Sequence, residues 1–334
     1  MSARNFKNLV FEGGGVKGIA YGGALGILSE LGIYNNIVRV GGTSAGAINA
    51  ALLALGYSMQ EVSGIISNTD FSTFADGGSL FSKIPRLLLR YGINKGEAFS
   101  SFIRDKIKGK TQNPDFTFRQ LKEKVEAGEP GYRFLYIITT DLTQQKPVIF
   151  SHEANGYPDT PIWLAVRMSM SIPLYFQSVF HGKSILVDGG VSYNYAVNIF
   201  DKKEYLSKVE NGDPSFYKNI DDKVFNYETL GFRLDSQQVI KYSHNDWAIP
   251  PQNIGNFKEY AGALLNFLME MANKAHLVAE DWNRTIFIDT LDVKTTEFSI
   301  SSKKINDLIE SGKNCTIKYF KWRDNDSIWG ALPG

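Results

Sequence analysis

The chain is poor in the residues that most often announce a function. A single cysteine, Cys315, stands in 334 residues, which excludes an intrachain disulfide and any cysteine-rich zinc site. Only four histidines occur, His152, His181, His244 and His276, so a catalytic histidine has few candidates. Neither charge sign dominates: the formal net charge is +1, which gives no global drive toward nucleic acid and leaves membrane attraction to a local patch. No uninterrupted apolar run reaches the roughly 18 residues of a spanning helix. The N-terminal stretch MSARNFKNLVFEGGG has only a short apolar run and reads as neither signal peptide nor anchor. A protein kept in, or delivered from, the cytoplasm is expected.

What is present is an ordinary globular balance, 43% hydrophobic and 21% charged, ample for a full core and one or two domains. Lys7 to Phe11 reads as a strand, followed by a glycine loop and then by Ile19, Ala20, Gly23, Ala24, Ile27, Leu28 and Leu31 at helical spacing. The glycines at 22, 23 and 26 would each weaken a free helix by roughly 1 kcal/mol; a flat face packed against a sheet explains them. A second strand near Ile37–Gly41 leads to a second helix, Ala47 to Gly56. This alternation predicts βαβ units and a parallel sheet. Helices are expected over the more polar stretch from Ser58 to Pro130. Strands are expected at Arg133–Thr140 and Pro147–Ser151, with a helix at Thr160–Ser171 and a strand at Ser184–Val187. Asn198 to Asp222 reads as a polar surface excursion. Leu230–Leu234 and Thr285–Ile288 read as strands, Phe257–Trp282 and Ser302–Phe320 as helices. With no repeat and no low-complexity linker, one elaborated domain over 1–334 is favoured above two split near 200.

Between the second strand and its helix lies Gly42-Thr43-Ser44-Ala45-Gly46. The chain must reverse there within a few residues, and small flanks permit a turn that pushes the Ser44 hydroxyl out at the sheet's end, a nucleophile elbow. A helix starting at Ser44 also aims its positive end at any oxyanion formed there. The earlier loop, Gly13-Gly14-Gly15-Val16-Lys17-Gly18, lets backbone N–H groups converge at a helix start. It lacks Walker A spacing, because Lys17 precedes Gly18 instead of Ser or Thr, and lacks dinucleotide-site spacing. Phosphate cradle, oxyanion hole and tight packing turn all fit it; the neighbouring elbow favours the oxyanion hole.

A serine needs a base. His276 falls within a long helix pattern, His181 in a turn-like His-Gly-Lys, His152 and His244 in polar loops, and none has the strand-end loop position of a triad histidine. Asp188 follows a buried strand, with Gly189 and Gly190 leaving room at its carboxylate; it is either a turn residue or the base of a Ser-Asp dyad.

Together these residues resemble the patatin-like phospholipases of bacterial type. The resemblance rests on the Gly-Gly-Gly-x-Lys-Gly loop (Gly13 to Gly18), G-x-S-x-G (Gly42 to Gly46), Ser-x-x-x-Pro (Ser169 to Pro173) and Asp-Gly-Gly (Asp188 to Gly190), in order within residues 8–200. TLGFRLDS at 229–236 and the C-terminal tail extend it over most of the chain. Two departures, Met168 where Ala is usual and Ala196 where Pro is common, do not touch the reacting atoms. The resemblance implies a three-layer α/β/α sandwich with a mostly parallel central sheet and extra helices in the C-terminal part. It implies Ser44 as nucleophile, Asp188 as base, and Gly13, Gly14 and Gly15 as the oxyanion hole. Lys17, Gly18, Gly42, Gly46, Gly189 and Gly190 support them. The implied activity is calcium-independent release of fatty acids from glycerophospholipids, with no cofactor and no metal. An acyltransferase using the same acyl-serine and a catalytically silent lipid-binding module are the alternatives.

A lipid substrate calls for a surface that meets membranes. In Ser79 to Gly92, Phe81, Ile84, Leu87, Leu88 and Tyr91 recur at helical spacing with Lys83, Arg86 and Arg90 between them. A basic amphipathic helix of this kind lies in a headgroup layer, or else packs on the core with solvated charges. Leu264, Leu265, Phe267, Leu268 and Met269 are the second choice. Peripheral membrane association is expected and no nucleic acid; an activating partner and homo-oligomerisation are not legible.

Overall fold

The tetrapeptide Asn8–Phe11 (β1) is buried at every position, the pattern of a strand covered on both faces. It belongs to a computed structural model that describes residues 5–207, 217–220, 223–237 and 254–325; His244 lies outside them. A 3-10 turn, Gly15–Ala20, leads into α1 (Tyr21–Glu30), then β2 (Arg39–Thr43) and α2 (Ala45–Ala54). The more polar stretch forms α3 (Met59–Ser67), α4 (Leu80–Arg90), β3 (Gly92–Asn94), α5 (Glu97–Thr111) and α6 (Phe118–Glu126). Both α3 and α6 start in reciprocal capping boxes, Ser58 with Glu61 and Thr117 with Gln120, which satisfy otherwise orphaned N–H groups. β4 (Phe134–Asp141), β5 (Lys146–Phe150), α7 (Ile162–Ser169), β6 (Leu174–Phe176), β7 (Val179–His181), β8 (Ser184–Asp188) and the short α8 (Gly190–Tyr193) come next. The chain continues with β9 (Tyr217–Ile220), β10 (Lys223–Asn226), β11 (Thr229–Asp235), α9 (Phe257–His276), β12 (Thr285–Asp289) and α10 (Ser302–Asn325).

The main sheet runs β12-β11-β1-β2-β4-β8-β7, with β5 also on β4. From β12 to β4 all pairs are parallel; β5, β7 and β8 join antiparallel. Helices flank it, giving the expected α/β sandwich with a mostly parallel sheet. The chain passes from β1 to β2 on one side, while β11 returns on the other. That places the carboxyl end of β1 at a reversal of strand order, where open α/β sheets form their crevice.

Three expectations are corrected. The glycine face of α1 packs on helices, not on the sheet. A Cβ on Gly23 would fall 1.8 Å from the Ile309 carbonyl oxygen of α10, one on Gly312 1.9 Å from that of Ala20, and one on Gly22 2.8 Å from Ser63 Oγ of α3. The stretch from Asn198 does not begin as a surface excursion: Ile199, Phe200, Tyr205 and Leu206 are buried. β9 and β10 pair as a hairpin, and residues 208–216, 221 and 222 lie outside the described set. The helix expected to Trp282 ends at His276, and Ala279–Arg284 is a 3-10 segment. Of the two orientations open for α4, the structure has the apolar face outward: Phe81 is 92% exposed.

Candidate active site

β2 ends at Thr43 and α2 begins at Ala45, so Ser44 alone makes the turn. Its φ of 52° and ψ of −122° are strained for a residue with a side chain. Neighbours lacking a Cβ make the turn possible. A Cβ on Gly42 would fall 2.2 Å from the Gly46 carbonyl oxygen, and one on Gly46 2.3 Å from that of Phe11, so α2 starts pressed against the end of β1. Gly18 also packs close, its missing Cβ 2.8 Å from that of Ala45. The Ser44 N–H donates to Ser169 Oγ at 2.8 Å, and Ser169 donates onward to the Ile138 carbonyl at 2.6 Å.

Asp188 ends β8. Its N–H donates to the Ser171 carbonyl at 3.0 Å, and its own carbonyl accepts from Thr140 Oγ1 at 2.9 Å. Its Oδ1 accepts the Gly190 N–H at 2.8 Å, and Gly189 fits because a Cβ there would fall 2.3 Å from the Ile138 carbonyl oxygen. Burial pushes the Asp188 carboxyl up to about 7, partly offset by the nearby Ser44 hydroxyl and the Gly190 N–H. Ser44 and Asp188 therefore stand close but without a full hydrogen bond. Ser44 Oγ donates instead to Met170 Sδ at 3.6 Å, and buried Asp188 Oδ2 has no hydrogen-bond partner.

The glycine loop lies against the same serine: a Cβ on Gly13 would sit 3.0 Å from Ser44 Cβ. Its three N–H groups are not equivalent. That of Gly13 donates to the Asn194 carbonyl at 3.3 Å, whereas those of Gly14 and Gly15 have no acceptor among the described residues. Gly15 adopts a φ of 56°, and its missing Cβ would meet the Thr295 carbonyl oxygen at 2.1 Å. Lys17 adds positive charge near Asp235 at the loop's base.

Several residues that hold this arrangement escape sequence reasoning. Buried Glu12, just before Gly13, accepts from Asn194 Nδ2 at 3.0 Å, Asn273 Nδ2 at 2.7 Å and the Leu234 N–H at 2.6 Å. It thus joins the loop to the C-cap of α8, to α9 and to β11. Burial pushes its carboxyl up against the pull of Arg233, whose guanidinium also bonds Asp235 and Glu270. Buried Arg167 ties Ser171 Oγ (2.6 Å) to the carbonyls of Lys95 (2.8 Å) and Gln177 (3.1 Å). Met269 of α9 lies over Gly190, its Cε 2.9 Å from where a Cβ would be. The available signal was Glu12 itself, an acid wedged between an apolar strand and three glycines.

The described histidines make their contacts elsewhere. His152 stacks on Phe134, His181 meets Phe150 and Tyr157, and His276 Nε2 bonds the Ser192 carbonyl at 3.1 Å. Ser44 is 1% and Asp188 4% exposed, so an ester reaches them only once covering side chains move. A strained serine close to a buried carboxyl of raised pKa, with the glycine loop against the same serine, is an arrangement suited to acyl transfer.

Comparison with known proteins bears on the family and the fold. The family model for patatin-like phospholipases matches residues 9–201. The uncharacterized protein YqhO of Bacillus subtilis (strain 168) is 30% identical, covering 93% of this chain and 97% of its own. The probable lipid hydrolase 463L of Invertebrate iridescent virus 6 is 27% identical over 60% of this chain and 64% of its own. Among solved structures, VipD of Legionella pneumophila has a TM-score of 0.58 at 17% identity, over 96% of this chain and 67% of VipD. The ExoU–SpcU complex of Pseudomonas aeruginosa has a TM-score of 0.54 at 19% identity, over 96% of this chain and 52% of the matched one. At such identities the two structures speak to the fold alone.

Proposed function

The chain belongs to the patatin-like phospholipase family, and on that premise we propose that it is a serine lipid acyl hydrolase acting through Ser44 and Asp188. Ser44 Oγ attacks the ester carbonyl of a glycerophospholipid while Asp188 takes its proton. The Gly14 and Gly15 N–H groups, with the N-terminus of α2, hold the tetrahedral oxyanion. Collapse expels the alcohol portion, which regains the proton from Asp188, and leaves the fatty acyl group on Ser44. Water deprotonated by Asp188 then attacks the acyl carbonyl, and Ser44 Oγ leaves, taking that proton from Asp188 as the fatty acid is released.

The observation that carries this reading is the pairing of strained Ser44 with a carboxyl pushed up to about 7. A base titrating near neutrality combines a useful ionised fraction with real proton affinity. The Gly13 N–H, spent on Asn194, is left out of the oxyanion hole in favour of its two neighbours.

The test is fatty-acid release from a mixed phospholipid panel by the parent, Ser44→Ala and Asp188→Asn, with fluorophosphonate labelling of Ser44 alongside. Release by the parent and loss in both variants are expected. Substantial activity in Asp188→Asn overturns the dyad and reopens His276. Ester formation with added glycerol in place of free acid reassigns the chain as an acyltransferase. A labelled parent that processes no lipid removes the substrate class but keeps the serine.

A further inference from the structure

The most exposed apolar side chains among the described residues gather on α4. Phe81 is 92%, Leu89 73%, Leu88 72% and Ile84 55% exposed, whereas side chains of this kind are ordinarily inside. The surface continues beyond the helix. Tyr91 closes α4 with a φ of 63°, and its carbonyl accepts the Leu174 N–H at 3.2 Å, alongside the pairing of β3 with β6. Leu174 and Phe180 are thereby brought beside the helix, both exposed, with the Phe180 ring 6.3 Å from that of Tyr91. A contiguous apolar face of this extent marks a partner or a membrane.

Charge decides between them. The helix LFSKIPRLLLR contains no acid. Arg86 turns inward, donating to the carbonyls of Gly77 (2.7 Å) and Ile93 (2.6 Å), so it braces the helix and is not available to a headgroup, contrary to its sequence assignment. Leu87 is half-buried and likewise leaves the outer face. Arg90 stays exposed at the rim with its guanidinium 5.8 Å from the Phe180 ring centre, while Lys83 of the same helix is half-buried, its Cε against Gly77. An apolar face with a cationic rim fits a sheet of negative headgroups over hydrocarbon. The exposed Tyr260, Leu264 and Phe267 of α9 share their helix with Glu259 and Glu270 and lack that one-signed rim. Along the chain the face is tied to the site: β6 begins four positions after Met170, the residue that Ser44 Oγ touches.

We propose that α4, with Tyr91, Leu174 and Phe180, docks flat into the headgroup layer of an anionic phospholipid bilayer and so presents lipid to the Ser44 site. This rests on the lipid-hydrolase reading, but its test does not require turnover. Ser44→Ala protein is sedimented with phosphatidylcholine vesicles, with and without phosphatidylglycerol, at low and high salt. Binding to the anionic vesicles, weakened by salt, is expected. Adding Phe81→Ser, Leu88→Ser and Leu89→Ser should lower partitioning by about tenfold or more. Lys83→Gln with Arg90→Gln should lower it several-fold on anionic vesicles only. Unchanged thermal melting establishes that each variant is folded, and Phe81→Ser alone serves if the triple variant is not.

Failure of Ser44→Ala protein to bind anionic vesicles overturns the docking whatever the enzyme hydrolyses. So does undiminished binding by the folded triple variant. A parent that self-associates without binding vesicles, and becomes monomeric in the triple variant, shows a protein interface instead.

Discussion

The hydroxyl of Ser169 accepts the backbone N–H of Ser44 at 2.8 Å and donates to the Ile138 carbonyl at 2.6 Å. One side chain thus fastens the strained turn at Ser44 to the middle of β4, and Ser169 is completely buried. Ser169→Ala would orphan a buried donor and a buried acceptor, a cost of about 1–3 kcal/mol each, and let the turn relax. We expect kcat to fall by about 10- to 100-fold with KM little changed, since displacement by about 1 Å has that effect on reacting groups. Ser169→Thr keeps the hydroxyl and should recover much of the rate. Equal losses in both variants would show that volume, not the hydrogen bond, is what matters.

Glu12 is the second brace. Its carboxyl serves three N–H donors, on Asn194, Asn273 and Leu234, and a fully buried Arg233 stands beside it. In Glu12→Gln one oxygen becomes a donor and faces another donor. Chemical denaturation should show a loss of about 1–3 kcal/mol, accompanied by slower fluorophosphonate labelling of Ser44 as the glycine loop loses its anchor. Stability and labelling unchanged from the parent would remove Glu12 from the support of the loop.

Two glycines predict opposite outcomes for the same substitution. At Gly13 a methyl group would lie 2.5 Å from Asn194 Oδ1 and 3.0 Å from Ser44 Cβ, and Asn194 is pinned by Glu12 and unable to yield. Gly13→Ala should displace the loop against Ser44 and cost about two orders of magnitude in rate, the scale of misplacing reacting groups by about 1 Å. Gly26 sits inside α1 with nothing within 4 Å of an added Cβ. Gly26→Ala should therefore stabilise the protein by about 0.5–1 kcal/mol with activity intact. A destabilised Gly26→Ala would mean that α1 is more crowded there than its neighbours indicate.

The parallel half of the sheet was legible because its strands are covered on both faces and read as short apolar runs before glycine loops. The motifs gave the chain positions of Gly13, Ser44 and Asp188, which the fold brings together. Less was legible where meaning depends on distant partners. The glycines of α1 announce a close approach, but nothing local says that the approaching backbone is that of Ile309 and Lys313. Strands β6 and β7 have three residues each, too few for a period. Asn194 and Arg167 look like unremarkable polar residues until the contacts of Glu12 and Ser171 are known. The outward face of α4 has the same spacing as a buried one, so periodicity alone could not orient it.

Asp188 links rate and stability to pH with opposite signs. Burial pushes its carboxyl from the ordinary 3.8 up to about 7 in the folded protein. If it is the base, kcat/KM should rise about tenfold per pH unit below that value and level off above it. For stability, the folded protein holds this proton between 3.8 and about 7 while the unfolded chain has lost it. The stability supplied by the protonated carboxyl is therefore fully present at low pH and is lost as pH rises through about 7. Above that point the ionised, buried Asp188 weakens the fold by on the order of 4 kcal/mol. Asp188→Asn, inactive but uncharged, should thus melt at a higher temperature than the parent in alkaline buffer, with the advantage shrinking as pH falls. Thermal melts of both proteins on either side of neutrality, beside a pH profile of fatty-acid release, check the two signs together. A variant that melts with the parent at every pH, or a rate that levels off near the ordinary carboxylate range, would remove Asp188 from the role of base.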